Sequence, residues 1–243
     1  MSENMSHSDP FLMIKNDLET VANNLFINLQ SNNEDLNALI NYILSSGGKK
    51  MRPAVCLLIS KLFNPTLTHK TFTIAEITEI IHTATLIHDD IIDEASCRRG
   101  QASVNQKWGN KLALICGDYL LAKASKLLAS LENSSLVFLY ANVLEELCVG
   151  EIDQINQHLN LTLSVEDYIS KSRKKTAALF MTGAVASAII NHASFAQQEA
   201  VKNFTHSYGI AFQITDDILN FYPESITGKP SYQDLKMGII TLP

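Results

Sequence analysis

Residues 81–100, IHTATLIHDDIIDEASCRRG, set His82, His88, Asp89, Asp90, Asp93 and Glu94 among Ile81, Ala84, Ile87 and Ile91. The apolar residues recur at three- and four-residue spacing, the pattern of a buried helix. An apolar helix does not need that much acid. On a helix, positions i and i+4 share a face about 6 Å apart, so Asp89 and Asp93 aim two carboxylates at one point, and His82 lies two turns earlier on the same side. Unpaired, the two carboxylates repel. A hard divalent cation resolves the repulsion because it takes oxygen ligands, and Mg²⁺ in particular is held by one or two carboxylates together with a substrate phosphate. Arg98 and Arg99 fit that chemistry, since guanidinium forks match phosphate oxygens. Taken alone, the same residues also read as a solvated acidic helix end followed by a basic loop.

A second acidic pair, Asp216 and Asp217, sits far downstream in GIAFQITDDILNFYPE, again in an otherwise apolar helix. Facing helices of a bundle can direct such carboxylates into one cavity. Aspartates without histidine ligands, in a chain lacking suitably placed Glu-x-x-His pairs, point to Mg²⁺ rather than iron or zinc. The basic side is patterned too. In GGKKMRP, Lys49 and Arg52 flank a helix start, where free N–H groups and the helix dipole favour an anion. Lys174, Lys175 and Thr176 interrupt another apolar helix, and Gln213 lies about one turn ahead of Asp216. Together these residues describe two diphosphate sites. One is bridged by metal to carboxylates; the other is held directly by Lys49, Arg52, His82 and Arg99.

These side chains must be positioned by helices. No proline falls between Pro65 and Pro223, and that interval lacks alternating β-branched runs. The periodicity predicts helices over 11–30, 35–44, 53–62, 73–94, 111–131, 135–158, 165–190 and 195–221. Ser164 is the expected N-cap of the seventh, with Asp167 closing a near capping box. With no internal repeat and no low-complexity linker, the chain reads as one all-α domain, a single large helical bundle around a central cavity.

Composition narrows the function. The chain has 243 residues, 46% of them hydrophobic, and a net charge of −6, without the basic surplus of a nucleic-acid binder. It shows neither a signal-like N-terminus nor an apolar run of membrane-spanning length, which places it in the cytoplasm. The four cysteines form no CxxC pair. Cys56, Cys116 and Cys148 sit in apolar helical contexts that suit reduced core thiols, whereas Cys97 lies beside two arginines that would favour its thiolate.

GGKKMRP, LIHDDIIDEASCRRG, KKTAALF, FQITDDILN and GKPSYQDLKMGIITLP, in this order and spacing, resemble the trans-polyprenyl diphosphate synthases over nearly the whole chain. The resemblance implies the isoprenoid synthase fold, usually a homodimer, with the two aspartate motifs facing across a deep cavity. It implies Mg²⁺-assisted ionisation of an allylic prenyl diphosphate and attack by isopentenyl diphosphate. By motif, Asp89, Asp93 and Asp216 would bind Mg²⁺, with Asp90 and Asp217 supporting them. Lys49, Arg52, His82 and Arg99 would hold isopentenyl diphosphate; Arg98, Lys175, Thr176 and Gln213 would contact the allylic diphosphate, and Lys229 joins the substrate-binding set. The small residues Ala84 and Thr85, one turn before Asp89, leave room for a long hydrocarbon tail, with Ile81 as a floor below them. The pattern is closest to octaprenyl-type enzymes, whose medium- or long-chain product becomes a quinone side chain, with peripheral membrane contact as that apolar product leaves.

The last portion departs from the family. Asn220 stands where a third Asp is usual, Glu224 where Asp is common, Tyr232 where Gly is usual and Ile239 where a Lys would touch diphosphate. The chain also stops at Pro243, before C-terminal helices that relatives carry. A weakly active or non-catalytic subunit that binds prenyl diphosphate and partners a complete synthase is therefore the second reading. A terpene cyclase is the third, disfavoured because it would not require the second diphosphate site.

Overall fold

A computed structural model of the chain describes residues 10–223 and 232–242. Helices α1 (Pro10–Met13), α2 (Lys15–Leu29), α3 (Glu34–Ser45) and α4 (Met51–Phe63) lead into α5 (His69–Ile92). Next come α6 (Val104–Trp108), α7 (Asn110–Ser130), α8 (Ser134–Asn156), α9 (Val165–Ser172), α10 (Ala178–Ile190), α11 (Phe195–Asn220) and α12 (Gln233–Lys236). Strand structure among the described residues is one antiparallel hairpin, Cys97–Arg98 with Gln101–Ala102.

The central helix is α5, which touches α2, α4, α6, α7 and α10, while α8 and α11 pack against α10 and the turn before it. Ile74, Ile77, Ile80, Ile81, Ala84 and Ile87 are almost wholly buried, and each isoleucine contributes about 1.5–3 kcal/mol by leaving water. The same helix also buries Thr73 and Thr78, whose hydroxyls donate to the carbonyls of His69 and Ile74 one turn back. Polar side chains satisfied within their own helix can enter a core at little cost.

The expected capping box is present: the Ser164 hydroxyl accepts from the Asp167 N–H, and the Asp167 carboxylate accepts from the Ser164 N–H. Three expectations about the helices change. The first helix breaks at the fully buried Ile14. The loop after α5 holds a hairpin and the short α6. The helix expected over 165–190 is divided by a π-helical turn, Arg173–Ala177, where the Ala178 N–H bonds the Arg173 carbonyl. One extra residue in a turn does not disturb an apolar stripe enough to be read from sequence. Of the cysteines expected in the core, Cys56 and Cys116 are buried, and burial pushes both thiols up to about 11. Cys148 is exposed instead, as is Cys97. No helix among the described residues is long and apolar enough to cross a membrane.

Candidate active site

Asp89 lies in the last turn of α5, and Asp93 is its C-cap, with the Asp93 N–H bonded to the Asp89 carbonyl at 2.8 Å. Carboxylates at a helix C-terminus meet the negative end of its dipole, so they need cations. Burial pushes Asp89 up to about 7; Lys175 opposes the shift, while Glu151 and Asp93 add to it. Burial also raises Asp93, again against Lys175. The Lys175 ammonium lies 4.0 Å from Asp89 Oδ2 and 2.9 Å from Glu151 Oε2, and donates to Gln154 Oε1 at 3.0 Å. Asp90 points elsewhere: it is buried, and Arg98 donates to its Oδ1 through Nε at 2.9 Å and through Nη2. That pairing holds the hairpin arginine against the end of α5.

The second acidic pair divides its labour in the same way. Asp217 is buried and accepts from the Tyr168 hydroxyl at 2.5 Å and from Gln213 Nε2 at 2.7 Å. Asp216 is exposed on the adjoining face of α11. Gln213 Oε1 in turn accepts from the Thr176 hydroxyl. Thr176 follows Lys175 in the π turn, so one turn of backbone meets Asp89 on one side and the Gln213–Asp217 pair on the other. Gly209 permits this approach, because a Cβ there would lie 2.5 Å from Ala177 Cα.

The basic residues gather beside the same face of α5. Burial lowers Arg52 to about 10, opposed by Glu79; it remains a cation at neutral pH. Its Cζ sits 4.6 Å from the centroid of the Phe180 ring, and its buried Nε finds no acceptor among the described residues. An orphaned guanidinium donor suits an anionic ligand. Burial, reinforced by Arg52, Arg99 and Arg98, holds His82 well below the usual imidazole range, so it is a neutral donor or acceptor. Arg99 Nη1 donates to the Gly47 carbonyl and its guanidinium lies flat against Gly48, where a Cβ would come within 2.6 Å. Lys49 is exposed in this same loop, ahead of α4. The structure thus brings together Arg52, His82 and Arg99 at one place and Asp89, Asp93, Lys175, Thr176, Gln213 and Asp217 at the next, with Arg98 between the two. Lys229 lies outside the described residues.

Sequence reasoning passed over four residues here. Glu151 and Gln154 of α8 hold Lys175; their i, i+3 spacing in CVGEIDQIN was the available signal. Tyr168 gave no signal of its own. Glu79 is buried and raised by burial, against Arg52, Arg99 and Lys50, so it offsets part of the positive charge.

The departures at the end of the chain also have structural correlates. Tyr232 adopts φ +59, a left-handed conformation in which glycine is unstrained and an aromatic residue is not. Its ring packs edge-on to Phe221 at 5.7 Å, and its N–H bonds the Asn220 carbonyl. Ile239 is half-buried beside Gly238, whose carbonyl accepts from the Leu159 N–H. Glu224 lies outside the described residues.

The family model for polyprenyl synthetase matches residues 33–243. The chain belongs to the polyprenyl synthetase family. A prenyl transferase of Cyanophora paradoxa is 40% identical over 233 residues, which are 95% of this chain and 72% of that protein. Solanesyl diphosphate synthase 2 of Arabidopsis thaliana chloroplasts is 35% identical over 96% of this chain and 57% of its own length. Among solved structures, heptaprenyl diphosphate synthase from Staphylococcus aureus superposes with a TM-score of 0.90 at 31% identity, covering 94% of this chain and 73% of that one. A decaprenyl diphosphate synthase from Rhodobacter capsulatus superposes at 0.89 and 30% identity, covering 96% and 72%. This family member is a prenyltransferase of the polyprenyl diphosphate synthase class.

Proposed function

We propose that the chain condenses isopentenyl diphosphate with an allylic diphosphate such as farnesyl diphosphate, making a medium- or long-chain polyprenyl diphosphate. One observation carries this reading: the π turn bearing Lys175 and Thr176 stands between Asp89 and the Gln213–Asp217 pair, with the Arg52, His82 and Arg99 cluster alongside. Two anion sites next to each other suit a reaction between two diphosphates, one of which must leave.

The donor set fits Mg²⁺. Asp89, Asp93 and Asp216 offer only oxygen, and Asp89, pushed up to about 7 chiefly by burial with Glu151 and Asp93 adding to it, is a carboxylate whose charge a bound cation would stabilise. Among the described residues no three acidic, imidazole or thiol groups form a cage by themselves, and Mg²⁺ held by one or two carboxylates completes its shell with water and substrate phosphate. When bound, it would neutralise the charge that develops on the departing diphosphate.

The protein's own groups do the rest. Lys175, Thr176, Gln213 and Arg98 orient the allylic diphosphate, while Lys49, Arg52, His82 and Arg99 hold isopentenyl diphosphate. The allylic carbon–oxygen bond breaks with both electrons leaving on diphosphate. The isopentenyl double bond then attacks the allylic cation, and the proton lost afterwards passes to the released diphosphate. Fixed cations around the leaving group stabilise its charge with no reorganisation during the step, and buried apolar walls keep water from the cation.

Product length follows the face of α5 below Asp89. Thr85 is half-buried and Ala84 fully so. Two turns farther down, the Thr78 and Tyr140 hydroxyls meet at 2.7 Å and bridge α5 to α8, closing that track beyond Ile81. A cavity of about 400 Å³ lies on the neighbouring face, lined by Phe26, Ile40, Ile80, Thr83 and Ile87 and ending at Arg98 and Arg99.

Exposed apolar side chains on α7 and α8, among them Leu112, Ile115 and Phe138, support a homodimer through those helices. Sedimentation of the wild type and of a variant combining Ile115→Glu and Phe138→Glu tests it; a wild-type monomer rules it out. The activity itself is tested by incubation with Mg²⁺, farnesyl diphosphate and labelled isopentenyl diphosphate. Label in long prenyl products is the expected result. Binding without turnover would leave a substrate-binding subunit, and turnover of farnesyl diphosphate alone would make the chain a cyclase.

A further inference from the structure

Three consecutive cations in the π turn each find acid on α8: Arg173 pairs with Glu146, Lys174 with Asp153 and Lys175 with Glu151. The third pair differs from the others. Lys175 faces Asp89 as well, at 4.0 Å, and its ammonium is fixed nearer to α8 by two acceptors, Glu151 Oε2 at 2.9 Å and Gln154 Oε1 at 3.0 Å. Gln154 also donates from Nε2 to Glu151 Oε1 at 3.4 Å, so the carboxylate is itself held in place. The side chains of Glu151 and Asp89 are 14% and 19% exposed. An ion pair this sheltered from water is not trivially exchanged.

We propose that Glu151 and Gln154 form a parking site for the Lys175 ammonium, which must be vacated before Lys175 can reach a diphosphate. Glu151 is then a positioning residue acting through Lys175. The inference rests on the proposed role of Lys175 as a diphosphate contact and adds to it a competition. While Lys175 is parked, its charge is spent on Glu151, and Asp89 and Asp93 are left to repel a diphosphate that arrives without cations. A diphosphate that arrives with Mg²⁺ supplies the carboxylates with positive charge and frees the ammonium. The cradle therefore makes anion binding at the Lys175 site conditional on the metal, which protects that site from bare pyrophosphate.

The test is the affinity for inorganic pyrophosphate in EDTA, measured by calorimetry on the full chain with isopentenyl diphosphate present to fill the metal-independent Arg52, His82 and Arg99 site. Glu151→Gln keeps the shape but gives up the charge, so metal-free pyrophosphate binds about tenfold more tightly than in the wild type, the effect of one charge-assisted hydrogen bond. Affinity in Mg²⁺ changes far less. Gln154→Ala, which removes one acceptor, gives a smaller gain of the same sign. The gain disappears when Glu151→Gln is combined with Lys175→Gln. A role of Glu151 confined to fold stability would weaken binding, not strengthen it, and unchanged or weaker metal-free binding in Glu151→Gln overturns the proposal. Lys175→Gln alone separates the two levels. If it leaves the farnesyl diphosphate KM and pyrophosphate affinity untouched, the diphosphate role of Lys175 fails. If it weakens both while Glu151→Gln gains nothing, only the parking site fails.

Discussion

The hydroxyl of Tyr168 donates to Oδ2 of Asp217 across 2.5 Å, joining α9 to the helix that carries the second aspartate pair. Both groups are buried. Tyr168→Phe keeps the ring but leaves a buried carboxylate with Gln213 as its remaining donor in this network. Losing such a bond costs about 1–3 kcal/mol, which in a chain of this size lowers the melting temperature by about 2–4 °C per kcal/mol. Because Gln213 also contacts Thr176, the Mg²⁺ concentration needed for half-maximal activity should rise too. An unshifted Mg²⁺ titration alongside a lowered melting temperature would make the bond purely structural.

Asp89 should be a liability to the metal-free fold. Its carboxyl is pushed up to about 7, chiefly by burial. A group raised in this way stabilises the folded state fully below its unfolded value near 3.8, and that contribution is lost as pH rises towards 7. Wild-type stability in EDTA should therefore fall between pH 5 and pH 8, and Asp89→Asn should flatten that fall. The same substitution should cut turnover by about 10²–10³-fold, the effect of deleting one preorganised electrostatic group. Thermal melts across that pH range, paired with initial rates, check both halves.

Gly48 should matter to one substrate only. A Cβ there would meet the Arg99 guanidinium at 2.6 Å, in a residue whose φ is +148. Gly48→Ala must displace Arg99 from its place beside Arg52 and His82. The KM for isopentenyl diphosphate should rise about tenfold or more, as a charge-assisted contact is lost, with the KM for farnesyl diphosphate nearly constant. Equal rises in both would mean that the loop serves the whole cavity.

Chain length offers the most direct readout of where the tail runs. Thr85→Phe, at a half-buried position, should shorten the product, and Tyr140→Ala, which opens the closure against Thr78, should lengthen it. Ala84→Phe is the poorer probe, because Ala84 is fully buried and overpacking costs about 1–3 kcal/mol. If Thr83→Phe shortens the product while Thr85→Phe does not, the tail occupies the cavity lined by Ile80 and Ile87.

Much of this was legible in the residues alone. Helical periodicity, proline placement and the Ser164 capping box depend on local backbone geometry, so they read directly from the chain. The acidic and basic motifs were equally plain, because charge inside an apolar helix contradicts its surroundings wherever it occurs. The i, i+4 spacing and the family motif already set Asp89 and Asp216 apart from the supporting Asp90 and Asp217; what the sequence could not supply is the partners that hold the supporting pair inward, Arg98 and Tyr168, which come from other elements. Nor could it place Glu151 and Gln154 against Lys175, since that contact depends on a π turn whose single extra residue re-aims three successive cations. Local spacing fixes which side chains share a face of one helix; only the packing of helices against each other decides which faces meet.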